Sequence, residues 1–347
     1  MPRSTRRFVA VASVFALLAL STSVSSARQP ANGGSTALAW VFVTNPVASS
    51  GNQGLTDNRD ADSATLNAEM ETVTLTNLDG SGYLRGTWAF VISETGVPAF
   101  ETDGTYYYTR HDDRFEQVMA YYWTTRSQLY LRSLGFGTGI YPAVNADAQR
   151  VRINQLGYDN SFATTHPRDE MRFGKGGVDD AEDAEVILHE LGHQIHFSQG
   201  FAFASSEADA ISEGFGDYWA ATISALYPSV PPRGCIADWD AVSYTSTTPH
   251  CLRRVDLNLH YPADLNGRIH HDGQIWSRAL WDIRAALGNV AADRIILNGQ
   301  WNFTGTTMVD LACRTYATAP AGSKPAVRAA FAARGILTAA PAALNCP

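Results

Sequence analysis

Residues 186 to 196 read Val-Ile-Leu-His-Glu-Leu-Gly-His-Gln-Ile-His, an apolar run that carries three histidines and a glutamate. His189 and His193 are four residues apart, so on a helix of about 3.6 residues per turn both imidazoles leave one face and can hold one metal ion. Glu190 stands beside the first of them, where a carboxylate can hold the water that a zinc ion acidifies. The same spacing also fits an amphipathic core helix, so a third ligand is what separates the two readings. His196 lies on the same face but about 10.5 Å from His189 along the axis. That is too far for a shared ion when each zinc–nitrogen bond is about 2.0 to 2.1 Å. Glu213 is the better third ligand. In Ser206-Glu-Ala-Asp-Ala-Ile-Ser-Glu-Gly-Phe-Gly-Asp-Tyr-Trp-Ala220, residues Ile211, Phe215, Tyr218 and Trp219 recur at helical spacing, and Glu213 and Asp217 share a face. A second helix packed on the first can deliver Glu213 to the metal and Asp217 to a place just behind it.

HExxH followed by Glu-x-x-x-Asp at this separation resembles the thermolysin-like and fungalysin-like zinc metallopeptidases, and Glu213-Gly-Phe-Gly-Asp-Tyr-Trp-Ala220 is closer to the fungalysin side. The longer metzincin motif is not met, because His196 and Gln199 stand where it wants Gly and His. The resemblance implies an α+β, two-lobed thermolysin-like metallopeptidase fold. Its strand-rich N-terminal lobe would span 28–198 and end in the metal helix, its mainly helical C-terminal lobe would span 199–347, and the zinc cleft would lie between them. The resemblance further implies one catalytic Zn2+ on His189, His193 and Glu213, Glu190 as general base, and Asp217 hydrogen-bonded to the far nitrogen of His189. In Arg268-Ile-His-His-Asp-Gly273 it makes His270 the second active-site histidine, with His271 its neighbour.

For the substrate, the resemblance points to Asn160 and a strand edge beside it, where unpaired backbone amides can bind an extended peptide. It points also to Arg253, with Arg254 as the alternative. Val186 and Leu252 match positions that line an apolar pocket in relatives, so Leu, Phe or similar is expected after the scissile bond. Two departures stand out. The tyrosine that helps relatives hold the tetrahedral oxygen falls at or near Ala204, and Phe203 has no hydroxyl to donate. Residues 28–36 are also short for the inhibitory prosegment such peptidases carry. The implied activity is that of a secreted zinc metalloendopeptidase acting on protein or peptide substrates. A zinc aminopeptidase is one alternative, and would need an acidic group near Asn160 that no motif identifies. A non-catalytic secreted zinc- or peptide-binding domain is another, and would have no need of Glu190.

The chain opens with Arg3, Arg6 and Arg7, an apolar run from Phe8 to Leu20, and small residues up to Ala27, which reads as a signal peptide over 1–27. The apolar run is too short to span a bilayer, and no membrane contact is expected. The full chain carries a net charge of −8 and has two lysines, Lys175 and Lys324, which points away from nucleic acid. A monomer is expected. Four cysteines fit an oxidising compartment and allow three pairings. Cys235 with Cys251 and Cys313 with Cys346 are preferred, since the first pair brackets a Pro/Ser/Thr-rich loop and the second ties down the C-terminus.

Strands are expected at Ala37–Val43, Glu71–Thr76 and Trp88–Ile92, with turns such as Asp79-Gly80 between them. Asp113 and Glu116 resemble a capping box, and Phe115, Val118, Met119 and Tyr122 begin a helix running to about Leu134. Residues 160–162 and 170–174 read as a short hairpin. Asp179, Asp180, Glu182 and Asp183 suit a helix N-terminus. Calcium is possible there, since relatives often carry it near this place. After Tyr218 the chain reads as helical apart from a loop over about 228–262, and a buried helix follows His270 and ends near Gly288.

Overall fold

Val73 and Leu75 alternate with threonines along Glu71-Thr-Val-Thr-Leu-Thr-Asn-Leu78, so one face can be buried and the other left in water. In the computed structural model this segment is a strand. The structure describes residues 34–229, 234–339 and 346, so the expected signal peptide and most of the 28–36 arm lie outside the described residues. Ser35–Val41 (β1) pairs antiparallel with Glu71–Leu78 (β2) and parallel with Thr105–Tyr106 (β4). Two short helices, Pro46–Ser50 (α1) and Ala64–Asn67 (α2), lie in the connection from β1 to β2. A second sheet has the order β3-β5-β7-β6, formed by Ala89–Ser93 (β3), Gln149–Leu156 (β5), Phe162–Thr164 (β6) and Glu170–Gly174 (β7). Its first three strands are parallel, and β6 runs antiparallel to β7 at the edge, which is the hairpin expected from the sequence.

The helix Arg114–Ser133 (α3) runs between these sheets and the rest of the molecule. Phe115, Val118, Met119, Tyr121 and Trp123 on it are buried. The expected capping box does not form. Asp113 makes no side-chain cap; Asp112 accepts from the Arg114 N–H at 3.0 Å instead, while Asp113 faces Lys175 Nζ at 3.3 Å. Glu116, which had to reach back to complete the box, is buried within the core.

From Ala184 onward helices dominate: Ala184–Ser198 (α4), Ser206–Ser224 (α5), Ile269–Leu287 (α6), Asn289–Gln300 (α7), Met308–Thr318 (α8) and Lys324–Ala333 (α9). The expected loop between α5 and α6 holds a small hairpin, Cys235–Ile236 (β8) with Arg253–Arg254 (β9), closed by the Cys235–Cys251 disulfide. Cys313–Cys346 is the second disulfide, so both preferred pairings are present.

The acidic run before α4 is used residue by residue. Asp183 caps α4 by accepting from Glu185 N–H at 2.8 Å, and its other oxygen accepts from the backbone of Trp239 and Asp240. Glu182 meets the buried Arg110 guanidinium at 2.9 Å. One cap therefore serves both the start of the helix and the loop that returns beside it.

Glycine sets how closely the helices meet. A Cβ on Gly192 of α4 would lie 2.7 Å from Gly216 Cα of α5, and one on Gly216 would lie 2.7 Å from His189 Nδ1. On the other side of α5, a Cβ on Gly214 would lie 2.2 Å from the carbonyl oxygen of Gly273 in α6. The chain thus places glycine where three helix backbones touch.

Gly192→Ala is expected to lower stability by about 1 to 3 kcal/mol through overpacking, read from the denaturant midpoint. Gly157→Ala, which meets nothing within 4 Å, is the control. Equal midpoints for the two variants would mean that the crossing is not tight.

Candidate metal centre and active-site cleft

The crossing of α4 and α5 brings together side chains more than one helix apart in sequence. His189 Nε2 lies 3.3 Å from Glu213 Oε2, and His193 Nε2 lies 3.7 Å from Glu213 Oε1. Tetrahedral zinc with bonds of about 2.05 Å separates its ligand atoms by about 3.3 Å, so this donor set fits a zinc ion. Glu213 Oε2 is buried, and the groups that approach it are the Nε2 atoms of His189 and His270, each at 3.3 Å and each a nitrogen able to ligate a metal. His189, His193 and Glu213 would hold the metal.

Behind the ligands, Asp217 Oδ1 lies 3.0 Å from His189 Nδ1. That bond fixes the proton on Nδ1 and turns Nε2 toward Glu213. Arg253 in turn holds Asp217, with Nε 2.8 Å from both carboxylate oxygens. Its Nη2 is 3.1 Å from His189 Nδ1. A guanidinium only donates and that nitrogen already donates to Asp217, so this contact is one of packing. Arg254 points elsewhere and pairs with Asp256 at 2.7 Å, which singles out Arg253 of the two arginines as the one beside the site.

Ser212 was not singled out from the sequence. Its hydroxyl lies 2.8 Å from His193 Nδ1 and 2.9 Å from His196 Nδ1. With His193 Nε2 facing Glu213, the His193 Nδ1–H donates to Ser212, which donates to His196. A short hydroxyl residue immediately before the glutamate ligand is the signal that could have found it. His196 itself is stacked between Phe201 and Phe215, with ring centroids 4.1 and 4.6 Å away, and so stays off the metal centre.

The charges follow from burial and neighbours. Burial pushes His193 down to about 4, which leaves it neutral and able to ligate. For His189, burial and Arg253 oppose the proton, but hydrogen bonds to Asp217 and Glu213 carry it up to about 9. A metal on Nε2 displaces that proton. Burial raises Glu213 too, yet the His189 hydrogen bond and the nearby positive charges leave it below the usual carboxylate range. Glu190 is raised to about 7, chiefly by burial, and its Oε2 has no partner. A carboxylate poised near neutrality is suited to taking and returning a proton.

His189 and Glu190 open on a cavity of about 1080 Å³, which Asn160, Val186, Leu252, Arg253, His270 and His271 also line. His270 Nε2 is 3.3 Å from Glu213 Oε2, while His271 Nδ1 turns to Asp272 at 3.1 Å. Phe203 packs on Phe197 and Phe201 instead of lining the cavity. Val186 and Leu252 share their pocket with Asp159, Asp180 and Asp240, so it is not the purely apolar one expected from the sequence.

No protein-family model and no curated protein matches the sequence. Among solved structures, this chain is similar to the precursor of protealysin, a metalloproteinase from Serratia proteamaculans. The TM-score is 0.57 at 15% identity, over 71% of this chain and 86% of that one. At that identity the likeness is one of fold: the chain has the thermolysin-like metallopeptidase fold.

Glu213→Ala is expected to abolish tight zinc binding, since two imidazoles alone bind far more weakly, while His196→Ala should keep the metal. Metal content after dialysis reads both. Zinc retained without Glu213 and lost without His196 would reverse the ligand assignment.

Proposed function

We propose that this protein is a secreted zinc-dependent endopeptidase with its cleft between a strand-rich part, 28–198, and a mainly helical part, 199–347. The observation that carries this reading is that His189, His193 and Glu213 converge while Glu190 opens on the same cavity. Secretion is supported by the Arg-led apolar N-terminal sequence and by two disulfides. Among the described residues, no helix is long and apolar enough to cross a membrane. The partner is a protein or peptide substrate, and the protein acts as a monomer.

Zinc, when bound, lowers the pKa of a water to about 7 and polarises a carbonyl. The chain's own residues supply the rest. Glu190 takes the proton of the attacking water and passes it to the leaving amine. Asp217 and Ser212 fix the tautomers of His189 and His193, and Arg253 holds Asp217 in place. The backbone at Asn160 and the edge strand β6 hold extended substrate by its main chain. His270 stands where a donor can stabilise the developing oxyanion, a role it carries without help from a tyrosine at position 204.

Glu190→Gln should retain zinc and fold but lose hydrolysis of an internally quenched peptide, and a chelator should abolish wild-type cleavage reversibly. Cleavage by Glu190→Gln near the wild-type rate would sink the general-base role.

Removing one oxyanion donor costs roughly a hundredfold to a thousandfold in turnover. His270→Ala is expected to lose that much kcat with its zinc content intact, and His271→Ala far less. Loss of zinc from His270→Ala would make it a ligand instead.

A further inference from the structure

Asp159, Asp180 and Asp240 come from three separate segments, yet each offers a carboxylate oxygen within 4.8 Å of the others. Asp180 and Asp240 are 2% and 3% exposed, and Asp159 stands nearer the rim. One oxygen of each buried carboxylate is held by a hydroxyl: Asp180 Oδ2 accepts from Ser161, and Asp240 Oδ2 accepts from Tyr244 at 2.6 Å. The other oxygen, Oδ1, is buried in both residues and has no hydrogen-bond donor. Among the described residues, the arginine ion pairs nearest the site go to Asp217 and Asp256, and none reaches these three acids. Burial accordingly raises Asp159 to about 6, and burial together with the Asp159 charge raises Asp180 to about 7. Buried carboxylates without a counter-charge are costly, and a cation brought to them removes that cost.

The group lines the same cavity as His189, Glu190, Val186 and Leu252. We propose that it is a specificity pocket for a cationic side chain, a lysine or arginine, on the substrate residue adjoining the bond that is cut. This deepens the peptidase reading above and rests on it. The pocket has the form such a side chain needs. Val186 and Leu252 offer apolar wall to the methylene stem, and the acids receive the charged head. Three carboxylates match the three N–H donors of an ammonium. A calcium ion takes about six to eight oxygens, which three carboxylates and two hydroxyls already engaged with them do not readily supply.

The test uses N-acetylated, internally quenched peptides that differ only in Lys, Arg, Leu, Phe or Glu beside the cleavage position, with cleavage sites mapped by mass spectrometry. The zinc-loaded protein is expected to favour Lys or Arg over Leu by at least about tenfold in kcat/KM. Asp180→Asn should shrink that ratio severalfold. Asp159→Asn, at the rim and less exposed to folding defects, should shrink it too. Binding of the same peptides to Glu190→Gln, followed by fluorescence anisotropy, separates the pocket from the chemistry. A Lys-over-Leu preference in binding without cleavage by the wild type would support the pocket and remove the peptidase reading. Efficient cleavage with Leu or Phe preferred would overturn the pocket and leave the peptidase. Cleavage confined to peptides with a free N-terminus would overturn it as well, since the acids would then be holding the terminal amine. So would calcium binding that is lost in Asp180→Asn when no Lys preference is present.

Discussion

Everything at the candidate metal centre depends on how near two helix backbones come to one another. Glu213 has a short reach, and it meets both imidazoles because α4 and α5 touch at Gly192 and Gly216, where an added methyl group would collide with backbone at the first and with the His189 ring at the second. The same contact sets Asp217 against His189 Nδ1 and Ser212 against His193 Nδ1. Close packing here is a matter of ligand geometry as much as of stability, since interiors this dense pass a displacement on to their neighbours.

The electrostatics are layered outward from that contact. Burial alone would keep Glu213 and both histidines neutral, and it does so for His193. For Glu213 the His189 hydrogen bond and the nearby positive charges reverse the balance; the last of these is Arg253, which also pairs with Asp217 at 2.8 Å. It is carried there by the β8–β9 hairpin, whose backbone is anchored at two points: Asp183 accepts from Trp239 and Asp240, and Cys235 is bonded to Cys251. A residue far from Glu213 in sequence thus bears on its charge state. Glu190, which has no such partner, is left near neutrality.

Much of this was legible in the sequence, for reasons that differ by residue. The spacing of His189 and His193 is a local helical property, and the third ligand sits on a helix whose own apolar period is plain. The strands and the α3 helix follow from alternation and from aromatic spacing, and the bracketing of a loop by Cys235 and Cys251 pointed to their bond. Local pattern misled at Asp113 and Glu116, where the residues of a capping box are present but tertiary contacts with Lys175 and the core claim them. Ser212 escaped notice because its place one residue before Glu213 gains meaning only once the facing helix is known. The grouping of Asp159, Asp180 and Asp240 was illegible for a like reason, since three unremarkable acids become a site only when a strand end, a helix entry and a loop are folded together. The apolar pocket read from Val186 and Leu252 was half of a surface whose other half lies elsewhere in the chain.

The glycine contact also bears on how far such a protein can drift and still be itself. A position where an added Cβ meets backbone strongly favours glycine, while the surfaces around it carry no such constraint. The centre asks for few such positions: three ligands, the residues that hold them, and the glycines between the helices. A fold can thus be shared with few residues in common, as it is between this chain and a solved metalloproteinase at 15% identity. In this architecture the spaces between side chains constrain the sequence as strictly as the side chains themselves.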